Sequence, residues 1–293
     1  MDTRISQISL RSAALSVADL VLPRVCVVCG RTLLLRETHV CTSCAADLPR
    51  TFFAGQRDNP MAVAFNALVE MELGGSQGMD TPSGACSLPS SGTSAAGTDL
   101  DYQPFSYAAA LFYYRGDSPY SQIPQALKYG RNFGAGRHFA RMLGRDLAGS
   151  ELFSNVDALI PVPLHWIRRW RRGYNQAEVI ARGIAEELGV RVLIGALKRV
   201  RRTRTQTRLD AGGRYANVRS AFVANGKTLA SIRITADRAE RPLHLLLVDD
   251  VFTTGATLLA CERALRKGFT EAFGPDAASK VRISVATLAY VQV

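Results

Sequence analysis

The chain has 293 residues, of which 47% are hydrophobic, a composition typical of a folded globular protein. No apolar stretch approaches the roughly 20 residues that a membrane-spanning helix needs, so we expect no membrane insertion. The formal net charge is +11, and the segment 161–220 alone carries +10, with fourteen Arg and Lys against four Asp and Glu. Charge concentrated in this way is typical of surfaces that bind phosphate-bearing partners, although a solvated surface without a partner has the same composition.

The first predicted element is a short docking helix near the N-terminus. Apolar residues between 5 and 23, among them Leu15 and Leu20, follow helical spacing. Arg11 and Asp19 interrupt the segment and no small-x-small cleavage site follows, which argues against a signal peptide. We therefore expect a cytoplasmic protein.

Two C-x2-C pairs follow, with eleven residues between them. This spacing is typical of two knuckles that bring four thiolates into a tetrahedron around Zn²⁺. Two disulfides are the alternative, but nothing in the sequence indicates secretion, and cytosolic thiols stay reduced. His39 lies between the pairs and could be a ligand, but it is more simply a surface residue. We expect a structural zinc ion held by Cys26, Cys29, Cys41 and Cys44.

The composition changes between residues 55 and 104, where Gly, Ser, Thr, Pro and Ala dominate. Such a stretch cannot bury enough apolar surface to offset its ordering entropy. It predicts a flexible linker or insertion, in which MAVAFNALVEMEL at 61–73 is one candidate short helix. The domain organisation that follows is a helix and four-cysteine zinc module at 1–54, a linker at 55–104, and a larger domain at 105–293.

From residue 106 onward, strand and helix patterns alternate. Apolar runs predict strands at 106–114, 157–163, 191–199, 244–250 and 281–291. Helical periodicity predicts helices at 123–129, 135–147, 175–189 and 254–268, the last two ending at Gly189 and Gly268. Because the strands are apolar throughout and alternate with helices, we predict an α/β fold with a parallel sheet covered on both faces. Ligands of such sheets bind beyond the carboxyl ends of the strands.

Two adjacent carboxylates, Asp249 and Asp250, lie at such a carboxyl end and are followed by the turn FTTGAT. Unpaired N–H groups at the start of the next helix favour an anion, and a glycine allows close backbone approach. The carboxylates can accept hydrogen bonds from a vicinal diol or bind Mg²⁺ through water. A phosphate beside a diol predicts a ribose 5-phosphate site, whereas the plainer alternative is an acidic strand end and a Thr helix cap. The phosphate socket is predicted at Thr253, Thr254, Gly255, Ala256 and Thr257.

This string resembles the phosphoribosyl-pyrophosphate (PRPP) loop of type I phosphoribosyltransferases, and the whole chain resembles the ComF family of competence-associated proteins. The matching stretches are the two cysteine pairs, ALKYG at 126–130, IPVPLHWIRRWRRGYNQAE at 160–178, LKRVRRTRTQTRL at 197–209, RYANVRSAF at 214–222 and LLVDDVFTTGATL at 246–258. The resemblance implies a type I phosphoribosyltransferase-like parallel sheet flanked by helices and preceded by a small zinc ribbon with four cysteine ligands. It also implies that Asp249 and Asp250 meet the ribose hydroxyls of PRPP, with Mg²⁺, and that residues 253–257 hold the 5-phosphate.

The resemblance also implies a pyrophosphate loop around 164–169 and a mobile, arginine-rich loop in the segment after 198. Cations track a phosphate backbone and aromatic faces can stack bases, so Trp166, Trp170 and Tyr174 are candidates for stacking, unless the tryptophans pack inward. The residues expected to contact pyrophosphate or single-stranded DNA are Arg168, Arg169, Arg171, Arg172, Arg201, Arg202 and Arg204.

The sequence is therefore compatible with three functions. The first is a ComF-like accessory of DNA uptake in natural transformation that binds single-stranded DNA and a PRPP-type ligand, with the DNA-uptake machinery as partner. The second is an active phosphoribosyltransferase of nucleobase salvage or amidotransfer type, for which the sequence shows no base-recognition element. The third is a zinc-stabilised interaction scaffold with a vestigial pocket.

Overall fold

The computed structural model of the chain describes residues 23–74, 105–165, 170, 172–200, 221–236 and 241–292. Within them, five strands form one parallel sheet and two form a small antiparallel sheet. The strands are β1 (Ala108–Tyr114), β2 (Ala158–Pro161), β3 (Arg191–Val192), β4 (Leu197–Arg199), β5 (Phe222–Ala224), β6 (Leu243–Phe252) and β7 (Val281–Val291). The helices with described bounds are α1 (Thr42–Ala46), α2 (Pro60–Gly74), α3 (Gln122–Lys128), α4 (Phe133–Ala148), α5 (Gln176–Leu188), α6 (Gly226–Ala236) and α7 (Ala256–Phe273).

The parallel sheet has the strand order β1-β7-β6-β2-β3, which places β6 in its centre. Leu247 of β6 pairs with Val285 of β7 on one side and Ile160 of β2 on the other. All three side chains are fully buried. Central strands covered on both faces need apolar side chains at successive positions, which explains the continuous apolar runs in the sequence.

Helices cover both faces of the sheet. Leu245 and Leu247 point to one face, where they pack in a cluster with residues of α2, α6 and α7. Leu246 and Val248 point to the other face, where they pack with residues of α3, α4, α5 and the cysteine-containing segment. Because successive strand side chains alternate between faces, one strand joins both cores. The predicted α/β class, with a parallel sheet flanked by helices and preceded by a four-cysteine module, is confirmed.

Two predicted boundaries are wrong. The segment 191–199 is two strands, because Gly195 adopts a φ of +84° and turns the chain between β3 and β4. The first belongs to the main sheet, and the second pairs antiparallel with β5. Helix α7 continues past Gly268 to Phe273; a Cβ at Gly268 would lie 2.5 Å from the Cβ of Ala224, so this glycine allows close packing against β5. By contrast, Gly189 caps α5 with a φ of +68°, as predicted.

The helix predicted within the linker is α2, and Met61 and Phe65 bury it against the sheet. The predicted N-terminal helix lies outside the described residues, as does the linker from 75 to 104. The domain boundaries at 54 and 104 therefore remain predictions. None of the described helices combines the length and apolar character that crossing a membrane requires.

Candidate functional site

The four predicted cysteine ligands come together. Their Sγ atoms all lie within 4.8 Å of one another. Among the described cysteines none is in a disulfide, and Cys29 Sγ lies 3.8 Å from Cys41 Sγ, far beyond the S–S bond length of about 2 Å. The clustering favours metal ligation over the disulfide alternative.

Backbone N–H groups point at these sulfurs. The N–H of Cys44 donates to Cys41 Sγ and the N–H of Cys41 donates to Cys26 Sγ, both at 3.4 Å. The first of these bonds, with further thiol contacts, lowers the pKa of Cys41 to about 6. Burial raises the pKa of Cys26, but N–H groups led by that of Cys29 outweigh it and lower the value. Four thiols that lie within reach of one ion, with backbone N–H groups donating to two of the sulfurs, fit a closed structural zinc site.

The loop between the cysteine pairs is ordered by Glu37, a residue that the sequence analysis did not single out. Its carboxylate accepts hydrogen bonds from the N–H groups of Leu34 at 2.8 Å and Thr42 at 2.7 Å, and it pairs with Arg31 at 2.9 Å. These backbone donors lower the pKa of Glu37 to about 2. His39 is outside the thiol cluster and instead packs edge-on against His138 of α4, with ring centroids 5.8 Å apart. The loop is therefore both ordered internally and joined to α4.

A cavity of about 790 Å³ opens beyond the carboxyl ends of the parallel strands. Asp249 and Asp250 of β6 form part of its wall, as predicted, and Thr257 of α7 lies on the same wall. The other walls come from the ends of α3 and β2, the start of α5, and β4. Their lining residues are Lys128, Tyr129, Arg131, Val162, Pro163, Leu164, Arg172, Tyr174, Asn175, Gln176 and Arg199.

The two carboxylates have different environments. The N–H of Asp250 donates to Asp249 Oδ1 at 2.9 Å, and Lys128 Nζ lies 2.9 Å from Asp250 Oδ2. Burial and the neighbouring charge of Asp250 raise the pKa of Asp249 to about 7, against the opposing effect of Lys128 and Arg199. At neutral pH the pair therefore carries less negative charge than two ordinary aspartates.

The turn after β6 leads into α7 through Gly255, whose φ of +73° lies in the left-handed region. Gly255 is the N-cap of α7, and in the described structure no side chain caps this helix. The alternative that a threonine of this turn is a helix cap is therefore wrong. Thr253 and Thr254 are exposed, and residues 251–258 line a small depression of about 40 Å³ together with Asp249. The first N–H groups of α7 remain available to an anion.

Only part of the predicted basic surface can be placed. Arg172 lines the cavity, with its guanidinium carbon 5.4 Å from the ring centre of Tyr129. Trp170 is 83% exposed, so the inward-packing alternative is wrong for this residue. Tyr174 packs edge-on against Phe133 with centroids 4.5 Å apart, and its hydroxyl donates to the carbonyl of Leu127. The other predicted residues of this surface lie outside the described part of the chain: Trp166, Arg168, Arg169, Arg171, Arg201, Arg202 and Arg204.

Several cavity residues were missed as site residues by sequence reasoning. Lys128 lies in the stretch ALKYG, and Asn175 and Gln176 lie in the stretch RGYNQAE. The hydrophobic periodicity of both stretches indicated only helices. Asn175 and Gln176 are 8% and 2% exposed. Asn175 Nδ2 donates to the carbonyl of Val162 at 3.0 Å. In the described structure, Asn175 Oδ1 and Gln176 Nε2 are buried without a hydrogen-bond partner, an arrangement that is rare in folded proteins.

The arrangement does not provide a ready Mg²⁺ site. Mg²⁺ needs near-octahedral oxygen ligands, usually including one or two carboxylates. Here Asp250 Oδ2 is already paired with Lys128 at 2.9 Å, and Asp249 Oδ1 accepts the N–H of Asp250. The raised pKa of Asp249, about 7, further reduces the negative charge that would attract a dication. The acidic pair therefore does not fit a divalent metal ion in this state of the protein.

Comparison with known proteins finds relatives among curated bacterial proteins. The chain is 36% identical over 153 residues to "Competence protein F" of Haemophilus influenzae, which covers 51% of this chain and 62% of that protein. It is 32% identical to "DNA utilization protein YhgH" of Salmonella typhi and 30% identical to that of Escherichia coli K12, in each case over 48% of this chain and 58% of the relative.

The chain thus spans 58% to 62% of the length of these relatives. No family model and no solved structure matches it. Over about half of its length, the chain is therefore similar to competence and DNA utilization proteins of the ComF/YhgH type.

Proposed function

We propose that this protein acts in the uptake or utilisation of DNA, and that its cavity binds a sugar phosphate of the PRPP type. The observation that carries the proposal is that the uncapped start of α7 lines a small depression that shares Asp249 and Thr257 with the cation-lined cavity, which Asp250 also lines. The names of the relatives supply the DNA context, and the cavity supplies the ligand chemistry.

A phosphate fits the turn because its charge and geometry complement the helix start. The first N–H groups of α7 lack intrahelical partners, and the aligned peptide dipoles favour an anion there. Gly255 adopts the left-handed conformation that leads the turn into α7, and the exposed hydroxyls of Thr253 and Thr254 add donors. The 5-phosphate of a pentose would satisfy these groups.

The remainder of the cavity suits a polyanion with a diol. Four cationic residues, Lys128, Arg131, Arg172 and Arg199, line it against the two aspartates. Carboxylate oxygens are acceptors only, so vicinal hydroxyls are complementary partners. A pentose that carries phosphate at one end and pyrophosphate at the other supplies both features.

Single-stranded DNA is proposed to bind at the edge of this cavity. Trp170 is 83% exposed and Tyr129 is 75% exposed. Arg172 lies over the Tyr129 ring, so a cation and aromatic faces are combined, as in surfaces that bind single strands without sequence preference. Such binding depends on phosphate neutralisation and weakens steeply as salt rises.

Calorimetry with PRPP, ribose 5-phosphate and 2-deoxyribose 5-phosphate tests the sugar-phosphate site. We expect binding of the first two ligands and weaker binding of the deoxy analogue, which lacks one hydroxyl for the carboxylates. Asp250→Asn should weaken ribose 5-phosphate more than the deoxy analogue. If none of the three ligands bound, the sugar-phosphate proposal would be refuted.

Titration with fluorescent single-stranded DNA at low and high salt tests the proposed DNA-binding site at the edge of the cavity. Tyr129→Ala and Arg172→Ala should weaken binding. Arg182→Ala is a matched control, because Arg182 pairs with Glu178 on the surface of α5 at 3.1 Å and does not line the cavity. Equal affinities of all three variants and the wild type would contradict this placement of the DNA.

The alternative is a catalytically active phosphoribosyltransferase, and the unpaired amide atoms of Asn175 and Gln176 beside the cavity favour it. An oxygen acceptor and an N–H donor could orient a base or amine acceptor. The assay is pyrophosphate release from PRPP over a panel of bases and amines, with Mg²⁺, which the family resemblance implies for PRPP. Release that Asn175→Ala abolishes would support the enzyme, and no release with any acceptor would exclude it. A scaffold with a vestigial pocket would remain if neither sugar phosphate nor DNA bound.

A further inference from the structure

Lys128 lies where an acidic pair of this kind would otherwise attract a metal ion. It is the last residue of α3, and its Nζ lies 2.9 Å from Asp250 Oδ2. The Lys128 and Asp250 side chains are 29% and 15% exposed, so water screens this pair less than it screens a surface ion pair. Lys128 also lines the cavity, so its ammonium faces any ligand that binds there.

The end of α3 is held firmly enough to fix this contact. Leu127, next to Lys128, is buried against the sheet, and its carbonyl accepts the hydroxyl of Tyr174. The N–H groups of Tyr129 and Gly130 donate to carbonyls of α3, at 2.8 and 2.9 Å. The side chain therefore starts from a well-anchored backbone, and the ion pair costs less ordering entropy than one between two mobile residues.

The charges around the acidic pair are nearly balanced without a metal ion. Lys128 is in contact with Asp250, and the positive charges of both Lys128 and Arg199 act on Asp249. A divalent cation that approached Asp250 would meet the Lys128 ammonium within a few ångströms, where like charges repel strongly. Ligand hydroxyls need no charge, so they can still reach carboxylate lone pairs that Lys128 does not use.

We propose that Lys128 is the positioning cation of this site, and that its ammonium allows the cavity to bind a sugar phosphate without a divalent metal ion. The inference rests on the proposed sugar-phosphate site. The ammonium orients the Asp250 carboxylate for the diol and reduces the repulsion between the acidic pair and the anionic ligand.

The test measures the affinity for ribose 5-phosphate in excess EDTA and in excess Mg²⁺. Ribose 5-phosphate is the better probe because it lacks the pyrophosphate group that itself binds Mg²⁺. The wild type should bind equally in both buffers. Lys128→Met should bind about tenfold more weakly in EDTA, because the acidic pair, left without its neutralising cation, repels the anionic ligand. Because its acidic pair is no longer neutralised, Mg²⁺ should restore most of that loss.

Two further variants separate this role from a general effect of charge or folding. Lys128→Arg keeps the cation and should remain independent of metal. Lys267→Met removes a lysine whose Nζ lies 3.6 Å from Glu271 on the exposed surface of α7, and it should behave as the wild type. Saturable binding of Mn²⁺ alone, absent in the wild type and gained in Lys128→Met, would support the same conclusion without any sugar ligand.

The outcomes distinguish this inference from the proposed function. Wild-type binding that requires Mg²⁺ would overturn the role of Lys128 and leave the sugar-phosphate site in place. Equal metal dependence of the wild type and Lys128→Met would do the same. If no variant bound ribose 5-phosphate in either buffer, the sugar-phosphate site itself would be refuted, and the inference with it.

Discussion

Replacing Asp249 by Asn should stabilise the protein at neutral and higher pH. The amide keeps an oxygen that can accept the N–H of Asp250, which Asp249 Oδ1 accepts at 2.9 Å, so the local backbone is preserved. It removes a carboxylate whose pKa burial and Asp250 raise from 3.8 to about 7. The substitution therefore removes the cost of ionising this group in the folded state.

The magnitude and the pH window follow from the pKa shift. Between the unfolded value of 3.8 and the folded value of about 7, the folded state binds the proton more tightly. The favourable contribution of this group is therefore fully present below the lower value and is lost as the pH rises to the upper one. At about 1.4 kcal/mol per pKa unit, the full loss would be about 4 kcal/mol. Because the open cavity admits water, which screens the charge, we expect about 2 kcal/mol.

Urea unfolding of the wild type and Asp249→Asn at several pH values measures this difference. The variant should match the wild type near pH 4 and become progressively more stable up to about pH 7, where the difference should level off. In a Lys128→Met background, the rise should extend to higher pH, because Lys128 lowers the pKa of Asp249. A difference that is constant with pH, or a variant that is less stable at pH 8 than at pH 5 relative to the wild type, would refute the reasoning.

Three further substitutions test other parts of the structure. Cys41→Ser should lower the bound zinc, measured by elemental analysis, and destabilise the N-terminal module, because one of four clustered thiols is lost; unchanged zinc content would contradict the four-thiol site. Gly255→Ala should cost about 1–3 kcal/mol in urea unfolding, because a Cβ there would meet side chains at 2.9 Å in a left-handed conformation. Gly268→Ala should also lower the free energy of unfolding, by about 1–3 kcal/mol, by forcing α7 away from Ala224. Wild-type stability of either glycine variant would show that its close contacts are dispensable.

Sequence patterns were sufficient where the information is local. The cysteine spacing predicted a cluster that the structure contains, and apolar runs located four of the five described strands of the main sheet, whereas the run at 191–199 merged β3 with β4. Sequence patterns failed where a glycine could either end a helix or allow close packing. Gly189 ends a helix, but Gly268 allows a helix to pack closely against β5, and only the neighbouring element distinguishes these roles.

The acidic pair and the glycine-containing turn could be identified from the sequence because they are consecutive. The end of one strand, β6, and the start of one helix, α7, position all of these residues. Their partners could not be identified, since Lys128 and Asn175 come from other elements that approach β6 only when the sheet assembles. Side-chain periodicity encodes local conformation and burial, but it carries no record of which distant elements meet. The sequence by itself therefore determined the chemistry of the strand end, and the tertiary structure decided which cations and amides surround it.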